Sequence, residues 1–547
     1  MDMERTLGPV RVAVSGRGLL AATRQELALV AAVATLTVAL FLNLDVHHLF
    51  IHTDEPRRAL VALEMMLSGN YVVPTLNGEA YFNKPPLFNW LLAVSFGFWG
   101  EESEWAIRFP VVISVIGFAL SIYHYSRRYL EHRIAVITAL TFVTSGRILF
   151  YDSFLGLLDI TYAWMLFLSV MGLFTGLENN RILRAFVIAY LWAAAAYLMK
   201  GLPGLVFTGL AVVAWLGVEK RFRLLFSRQH LIGIAAFTIV VGTYYAAYAA
   251  VSDVPVATLF STLWEESAKR TVIEFGWLSV LGHLVVFPFA MVMHFLPWSL
   301  LGLLLLRRAN LEQLWRQRFL RFCVVVFIAN IGVYWSSPEV YPRYLFPFVP
   351  LWSAVCVSLY FWSDERDWRR RTINAGLLVL VGAAIGVALY APFDWRVQGL
   401  GGLYTKAAGV VMGLLVAFTL GWRQRRQLLP AVILAFAVVR VGFDLFNLPI
   451  RDPDGFTLKA QALQVAAMTR GQPLFLYRNS QTHDGTTFYI TRERGQILRR
   501  TETLKRYPAW YIVRQELIDG FPRRQVHYQF RTRSYNKPLY LVRTDGV

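Results

Sequence analysis

The feature that most constrains this chain is a series of long apolar runs. A helix that crosses the hydrocarbon core of a bilayer needs about 17–25 apolar residues. By this criterion the sequence predicts an all-α, multi-pass membrane protein with about 13 transmembrane helices. Their predicted starts, defined to within a few residues, are Leu27, Ile107, Ile134, Ile160, Ala185, Leu202, Leu231, Leu278, Phe322, Leu345, Ile373, Tyr404 and Leu429.

The composition agrees with this prediction and excludes other classes of protein. Of 547 residues, 56% are hydrophobic and only 16% are charged, whereas a soluble domain carries about 25% charged residues. The net charge is +19, but the basic residues lie mainly in short loops and in the C-terminal tail. They form no nucleic-acid-binding motif, so we expect membrane lipid and no nucleic acid as partner. Cys323 and Cys356 lie inside apolar runs and are predicted to be small buried hydrophobes.

The basic residues also predict the orientation of the chain. Arg5, Arg11, Arg17 and Arg24 precede the first helix, which places the N-terminus in the cytoplasm. Alternate loops along the chain are then basic, as the positive-inside rule requires. An odd number of helices places the C-terminal tail on the external side. No cleavable signal peptide is expected, because the first apolar run has no small-residue cleavage site after it.

Two segments are predicted to lie outside the membrane. The first external loop spans residues 45–106 and contains Leu87–Trp99, a short apolar run that is predicted to be a helix on the outer membrane face. We expect a transmembrane catalytic domain over residues 1–448 and a small external α/β domain over residues 449–547. The strands predicted in that domain are Pro473–Tyr477, Thr487–Ile490, Trp510–Val513, Val526–Phe530 and Leu539–Val542.

Two carboxylates, Asp54 and Glu55, stand directly after the first apolar run. A helix is predicted to begin at Pro56, since proline suits the first helical turn. Asp54 could cap that helix. A carboxylate at the membrane edge, with Arg57 and Arg58 close behind, also suits a general base or a group that orients substrate. The two interpretations can both hold.

Lys84 is the first candidate for binding a phosphate. Pro85 and Pro86 follow it and restrict its backbone. A rigidly held lysine near a membrane suits a phosphate ligand. The alternative is a lysine that extends to the lipid headgroups.

A third acid, Asp159, stands at the start of a predicted helix among apolar neighbours. Ionisable groups in such positions are costly and usually functional. The predicted topology puts Asp159 and Asp54 at the same membrane depth, where they could share an acceptor site. Asp152, in contrast, is expected at the surface or as a helix cap.

Further cations are predicted at external helix ends, where the positive-inside rule disfavours them. Lys200, Arg270 and Arg343 are the clearest of these. A lipid-linked phosphate would explain their presence. Each could instead be structural and contact the lipid headgroups of the outer leaflet.

These motifs resemble a known family. The sequence is similar to the aminoarabinose transferases of lipid A, which belong with the protein O-mannosyltransferases in the GT-C glycosyltransferase fold. The segments that carry the resemblance are Asp54-Glu55-Pro56-Arg57, Glu64-Met65, Lys84-Pro85-Pro86-Leu87, Leu158-Asp159, Lys200-Gly201 and Arg343-Tyr344-Leu345-Phe346-Pro347. The last part of the chain matches only in general layout.

The resemblance implies an inverting glycosyltransferase of the bacterial inner membrane. Such an enzyme would move a sugar, here 4-amino-4-deoxy-L-arabinose, from undecaprenyl phosphate to lipid A or another periplasmic acceptor. The candidate site residues are Asp54, Asp159 and Glu55 for catalysis, Lys84, Lys200, Arg270 and Arg343 for the donor phosphate, and Arg57, Arg58, Tyr81, Tyr341 and Tyr344 as substrate-lining groups.

Three departures leave the exact sugar and acceptor open. Asn83 stands where the family commonly has an acid, Arg58 where it has an aromatic residue, and Glu339 where it has a lysine. The sequence requires no cofactor. The departure at Asn83 weakens the case for a divalent metal.

Other functions stay open at this stage. One is a GT-C enzyme that transfers another polyprenyl-phosphate-linked sugar to protein or to a surface glycan. A lipid flippase or transporter is the alternative from a different class, although its charges should line a path near the midplane. An intramembrane aspartyl protease, using Asp152 and Asp159, is a third.

Overall fold

The computed structural model describes residues 16–46, 48–268, 272–338, 340–521, 525–533 and 535–546. Helices dominate this part of the chain. They are α1 Gly16–Phe41, α2 Asp54–Ser68, α3 Leu87–Trp99, α4 Glu104–Ser126, α5 His132–Val143, α6 Asp159–Glu178, α7 Ile182–Lys200, α8 Pro203–Val218, α9 Arg228–Val251, α10 Val256–Ala268, α11 Val272–His294, α12 Arg308–Arg316, α13 Arg318–Trp335, α14 Val349–Trp362, α15 Trp368–Tyr390, α16 Leu403–Arg423, α17 Leu428–Gly442, α18 Pro453–Met468 and α19 Asp484–Arg494.

Strands are few and short, apart from those near the C-terminus. They are β1 Thr75–Leu76, β2 Glu79–Ala80, β3 Leu474–Tyr477, β4 Arg499–Thr501, β5 Ala509–Arg514, β6 Val526–Thr532 and β7 Tyr535–Thr544. Two irregular helical segments matter for the site, the π-helical turn Ile148–Asp152 and the 3-10 segment Pro342–Phe348.

The all-helical membrane architecture is confirmed, although the number of 13 spans is not. Within the described residues, nine helices are long and apolar enough to cross a bilayer. They are Glu104–Ser126, Asp159–Glu178, Ile182–Lys200, Arg228–Val251, Arg318–Trp335, Pro342–Trp362, Trp368–Phe393, Leu403–Arg423 and Arg425–Ile450. The other predicted spans coincide with apolar helices whose described apolar part is shorter. The orientation of the termini stays a prediction, as does the place of α3 on the membrane surface.

The chain divides into two compact units. The first consists of the chain up to Ala39 together with Asn374–Gly442. Its helices α16 and α17 approach closely where they carry glycine: a Cβ atom added to Gly413 would lie 3.1 Å from the Val438 side chain. Small residues at such contacts allow membrane helices to pack by van der Waals attraction.

The second unit consists of Leu40–Ile373 and the chain from Phe443 onward, and it holds all the candidate site residues that the structure describes. Its framework depends on a buried ion pair between α2 and α4. The Arg108 guanidinium donates from Nε to Glu55 at 2.8 Å and from Nη1 to the Leu44 carbonyl oxygen at 2.6 Å. The side chains of Arg108 and Glu55 are 1% and 0% exposed. This pair ties the N-terminal turn of α2 to helix α4.

The C-terminal part of this unit is the expected small α/β domain. Its five strands lie in the order β4-β3-β5-β7-β6, with β3 parallel to β4 and β5, and β7 antiparallel to β5 and β6. Four of the five predicted strands are confirmed as β3, β5, β6 and β7. The predicted boundary between residues 448 and 449 stays a prediction.

The predicted strand Thr487–Ile490 is wrong, because these residues lie in helix α19. Their β-branched and aromatic side chains favour a strand by intrinsic propensity. In the structure Phe488, Tyr489 and Ile490 are all fully buried, and α19 packs on α2 and α18. The burial gained when α19 packs on α2 and α18 outweighs the intrinsic preference of these residues for a strand. Strand β4 was not predicted.

Both cysteines are buried within helices, as predicted. Cys323 lies in α13 and Cys356 in α14, with exposures of 1% and 0%. They fill apolar space.

Arg108→Met should lower the free energy of unfolding by about 3–5 kcal/mol, because it leaves the Glu55 carboxylate buried without its counter-charge. SDS-driven unfolding in mixed micelles measures the change. The matched control is Arg308→Met, which breaks the exposed ion pair with Glu312 and should change stability by less than about 0.5 kcal/mol. A loss below about 1 kcal/mol for Arg108→Met, typical of exposed pairs, would contradict a supporting role for the buried pair.

The N-terminus of α19 should make the C-terminal domain sensitive to acid. The His483 side chain accepts a hydrogen bond from the Gly485 N–H at 3.1 Å, and burial lowers the pKa of His483 to about 4. In the unfolded chain a histidine has a pKa near 6.5, so as the pH falls the unfolded state binds a proton before the folded state does. Stability should therefore fall as the pH drops from about 6.5 towards 4.

Hydrogen exchange in Asp484–Arg494, corrected for the intrinsic effect of pH, measures this loss. His483→Asn keeps a capping acceptor without a titrating group, so its protection should be flat over the same interval. An equally steep loss in this variant would assign the acid sensitivity to another group.

Candidate functional site

A polar cavity of about 180 Å³ gathers residues that lie far apart in the sequence. Nine of the predicted site residues line it. The lining comprises Asp54, Arg57, Arg58, Tyr81, Asn83, Lys84, Leu157, Leu158, Asp159, Lys200, Arg343 and Tyr344. Two carboxylates face five cationic side chains, so the cavity carries an excess of positive charge and suits an anionic ligand.

Asp54 belongs to the first turn of α2. The helix begins at Asp54 and not at Pro56, and the preceding residue, Thr53, makes no side-chain cap. The prediction that Asp54 caps a helix starting at Pro56 is therefore wrong. A carboxylate in a first turn still interacts favourably with the helix dipole, and the Asp54 side chain is 41% exposed. It is the accessible acid of the site.

Asp159 is the buried acid of the site. It begins α6, and its carboxylate contacts two cations: Lys200 Nζ donates a short hydrogen bond to Oδ1, and Arg343 Nε lies 3.4 Å from Oδ2. The three side chains are between 7% and 9% exposed. Lys200 is the last residue of α7, where the negative end of the helix dipole stabilises a cation. Asp159 therefore neutralises part of the charge of the two cations and holds them at the cavity.

Arg343 connects the two acids. It lies in the 3-10 segment Pro342–Phe348 and donates from Nη2 to Asp54 Oδ2 at 3.1 Å. Aromatic rings surround this arrangement. The Tyr344 ring centroid lies 4.1 Å from Lys200 Nζ, and the Tyr341 ring centroid lies 4.9 Å from the Arg343 guanidinium. Cation–π contacts of this kind fix the positions of the charged groups without neutralising them.

Arg58 provides a buried donor that no described residue engages. Its Nη2 makes a short hydrogen bond to the Tyr81 hydroxyl, and its side chain is nearly buried at 3% exposed. Nη1 has no hydrogen-bond partner within the described part of the chain. A buried unpaired donor is costly, so a ligand oxygen in the cavity would satisfy it.

Arg57 is held by the C-terminal domain. Its Nε donates to Asp484 Oδ2 at 2.8 Å, and Asp484 lies in the first turn of α19. Although burial opposes the charge, the Asp484 carboxylate raises the pKa of Arg57. Asp484 was not predicted from the sequence, because the ion pair joins residues 427 positions apart in the chain.

His52 is a second residue that the sequence analysis missed. Its Nδ1 accepts from the Asp54 N–H at 3.0 Å, and its Nε2 lies 2.6 Å from Arg343 Nη1. Burial and the neighbouring Arg343 lower the pKa of His52, so the imidazole is neutral at pH 7. Its position two residues before Asp54 was the only signal in the sequence.

Two predicted site residues, Glu55 and Tyr341, are not among the residues that line the cavity, and the position of a third is not described. Glu55 points away from it, towards Arg108, and accepts a hydrogen bond from the Gly156 N–H at 2.8 Å. Tyr341 is half exposed beside Arg343. Arg270 lies outside the described residues.

The expectation that Asp152 is a surface residue or a helix cap is wrong. Its side chain is fully buried, and Oδ2 accepts from Arg147 Nε at 2.7 Å. Burial raises the pKa of Asp152 to about 7. The π-helical turn Ile148–Asp152 directs this side chain inward, and that local geometry is not encoded in any pattern that the sequence analysis used.

Metal-ligating side chains do not cluster in the part of the chain that the structure describes. No group of three or more histidine, cysteine, aspartate or glutamate side chains there could hold a metal ion. The two acids of the cavity are instead paired with cations.

Comparison with known proteins identifies relatives in sequence and in fold. A family profile described as "Dolichyl-phosphate-mannose-protein mannosyltransferase" matches residues 83–245. The chain is 28% identical over 191 residues to the undecaprenyl phosphate-alpha-4-amino-4-deoxy-L-arabinose arabinosyl transferase of Edwardsiella ictaluri, covering 34% of each chain. It is 25% identical over 377 residues to the corresponding transferase 2 of Proteus mirabilis, covering 62% of this chain and 63% of that one. These alignments span less than two thirds of the relatives' own lengths.

The fold extends the likeness over the whole chain. The crystal structure of ArnT from Cupriavidus metallidurans bound to undecaprenyl phosphate matches with a TM-score of 0.66 at 18% sequence identity, covering 97% of this chain and 98% of that chain. Its apo state matches with a TM-score of 0.65. The predicted GT-C fold and the resemblance to the aminoarabinose transferases are confirmed.

Asp159→Asn should lower the thermal unfolding midpoint, because Lys200 and Arg343 then lie close together without their shared anion. Inorganic phosphate should restore more of the midpoint in this variant than it adds to the wild type, since an added anion replaces the lost carboxylate. The measurement is thermal unfolding of the purified protein at increasing phosphate.

The control is Asp367→Asn, which removes an acid paired with Arg307 and Arg369. Phosphate should not distinguish this variant from the wild type. An equal phosphate response in both variants would mean that the Asp159 site has no particular affinity for anions.

Proposed function

We propose that this GT-C protein transfers 4-amino-4-deoxy-L-arabinose from undecaprenyl phosphate to lipid A at the periplasmic face of the bacterial inner membrane. One observation carries the proposal: Lys84, Lys200 and Arg343 converge with Asp54 and Asp159 on one cavity. The names of the related arabinosyl transferases and of the undecaprenyl-phosphate-bound ArnT structure support the choice of sugar and carrier.

In this reaction an oxygen of the acceptor attacks the anomeric carbon of the sugar. The bond between that carbon and the phosphate oxygen of the carrier breaks, and undecaprenyl phosphate leaves with the electron pair. Negative charge grows on the leaving oxygen, and Lys84, Lys200 and Arg343 stabilise it. Because Asp159 and the tyrosine rings already hold two of these cations in place, little reorganisation is needed as the charge develops. A single displacement inverts the anomeric centre.

Asp54 orients the donor sugar in this proposal. A phosphate acceptor is already ionised and needs no general base. One Asp54 oxygen bonds Arg343, and no donor among the described residues hydrogen-bonds the other. That exposed oxygen can accept from the protonated amino group of the sugar. With a hydroxyl acceptor, the same oxygen would take the proton instead.

Glu55 is a positioning residue rather than a catalytic one in this scheme. Its pair with Arg108 fixes the first turn of α2, and the neighbouring residue, Asp54, is thereby aimed at the cavity. Arg270, whose role the resemblance implies, stays a prediction as a phosphate ligand.

A second candidate is transfer of another polyprenyl-phosphate-linked sugar to protein. The match of residues 83–245 to the mannosyltransferase profile favours it. Mass spectrometry of lipid A from cells with and without the gene decides between the two. The arabinosyl proposal expects a mass increase by one aminopentose that depends on the gene. An unchanged lipid A spectrum with altered glycoproteins would overturn it.

Asp54→Asn should reduce kcat/KM by about 10–100-fold at every pH, the cost of about 1.5–3 kcal/mol for a lost charge-assisted hydrogen bond. A general base predicts a loss of about 10²–10⁴ together with loss of the acidic limb of the pH–rate profile. Rates measured with defined donor and acceptor across the pH range separate the two roles. A loss below about tenfold would exclude both. Asp394→Asn, which removes an exposed ion pair with Arg396, is the control and should be fully active.

A further inference from the structure

Two arginines outside the cavity lining, Arg147 and Arg451, approach the same tyrosine. The Arg147 guanidinium lies 3.9 Å from the centroid of the Tyr151 ring, and the Arg451 guanidinium lies 5.5 Å from it. Arg451 also lies 5.8 Å from the Phe154 ring centroid. The two residues come from distant segments, one before the π-helical turn and one after the last predicted membrane span.

The charge of this pair is poorly compensated. No carboxylate of the described residues lies within 4 Å of Arg451. The neighbouring acid, Asp452, faces elsewhere, because its carboxylate is paired with Arg533 and its carbonyl oxygen lies 2.9 Å from His48 Nε2. Burial lowers the pKa of Arg451, and the Asp452 carboxylate offsets this effect only in part.

The single acid beside Arg147 balances at most one of the two arginines. Asp152 accepts from Arg147 Nε at 2.7 Å, and burial raises the pKa of Asp152, so one carboxyl group that is costly to ionise stands against two guanidinium groups. The second oxygen of Asp152 has no hydrogen-bond partner within the described residues. Aromatic rings stabilise cations but carry no net charge. The cluster therefore keeps a positive excess that an anion from outside the protein would neutralise.

The cluster adjoins the catalytic cavity through a short chain of contacts. Tyr151 packs against His52 with 6.3 Å between ring centroids, and His52 Nε2 lies 2.6 Å from Arg343 in the cavity wall. One imidazole and one phenol ring thus separate the two cationic regions. A ligand that occupies both regions would carry two acidic groups.

We propose that Arg147 and Arg451 form an acceptor-anchoring site, which binds a second phosphate or carboxylate of the acceptor glycolipid while its first phosphate is glycosylated in the cavity. This inference rests on the proposed function for the identity of the acceptor. Positive-inside statistics disfavour both arginines at external helix ends, and the anchoring role accounts for them. The side chain of Arg147 is 20% exposed and that of Arg451 is partly exposed, so a ligand can reach both.

Binding of defined lipids to the full-length protein in detergent, measured by native mass spectrometry, tests the site. The wild type should bind bisphosphoryl lipid A about tenfold more tightly than monophosphoryl lipid A, since one charge-assisted contact is added. Arg451→Gln should abolish this preference and leave the affinity for undecaprenyl phosphate unchanged. Arg451→Lys, which keeps the positive charge, should preserve most of the preference for the bisphosphoryl lipid.

Arg478→Gln is the matched control, because Arg478 also stacks on a tyrosine, 5.1 Å from the Tyr477 ring centroid. This variant should keep the preference for the bisphosphoryl lipid. Retention of the preference in Arg451→Gln would overturn the proposal. So would equal displacement of the bisphosphoryl lipid by phosphatidylglycerol, which would make the cluster a headgroup site.

A transfer assay on the same samples separates this proposal from the proposed function. A wild type that prefers the bisphosphoryl lipid through Arg451 but transfers no aminoarabinose would refute the function and leave the anion site intact. A wild type that transfers the sugar equally well to both lipids, and binds both equally, would refute the anchoring site alone.

Discussion

The cavity depends on the ion pairs that the Asp159 carboxylate forms with Lys200 and Arg343. The carboxylate lies between these two cations, which would otherwise repel each other and leave the site. A buried carboxylate is itself unfavourable unless it is paired and hydrogen-bonded, and the two cations supply that pairing. The result is a rigid group with net positive charge at a helix start. This arrangement suits the binding and release of a lipid phosphate in the proposed reaction.

Helix α2 also supports the cavity, and it directs two adjacent acids to different sides of the helix. Successive residues on a helix point about 100° apart, so Asp54 faces the cavity while Glu55 faces Arg108. Further along, Glu64 accepts hydrogen bonds from the Thr75 hydroxyl at 2.6 Å and the Asn77 N–H at 2.7 Å. These bonds anchor the hairpin of β1 and β2, which precedes Lys84. One helix therefore positions the accessible acid and, through the hairpin, the loop that carries Lys84 to the cavity.

The same geometry argues against the competing classes. A protease dyad needs two carboxyl groups that share a proton, whereas Asp152 and Asp159 are each paired with their own cations, Arg147 and Lys200. A transporter is expected to place its charges along a path near the midplane between repeated halves. Here the charged groups meet at helix ends around one cavity, and a C-terminal helix reaches that cavity through Asp484.

The sequence alone determined the helical membrane architecture and most of the cations of the site. It could do so because apolar runs and charges at helix ends have strong energetic consequences in lipid that depend on local sequence. Tertiary structure decided which acid is accessible and which is buried. Distant segments bring Arg108 to Glu55 and Arg343 to Asp54, and the π-helical turn that ends at Asp152 turns that side chain inward towards Arg147. Tertiary structure also decided that Thr487–Ile490 is helical and that Asp484, His52 and Arg451 lie at or near the site. Pairing across hundreds of residues follows from packing, and no local pattern records it.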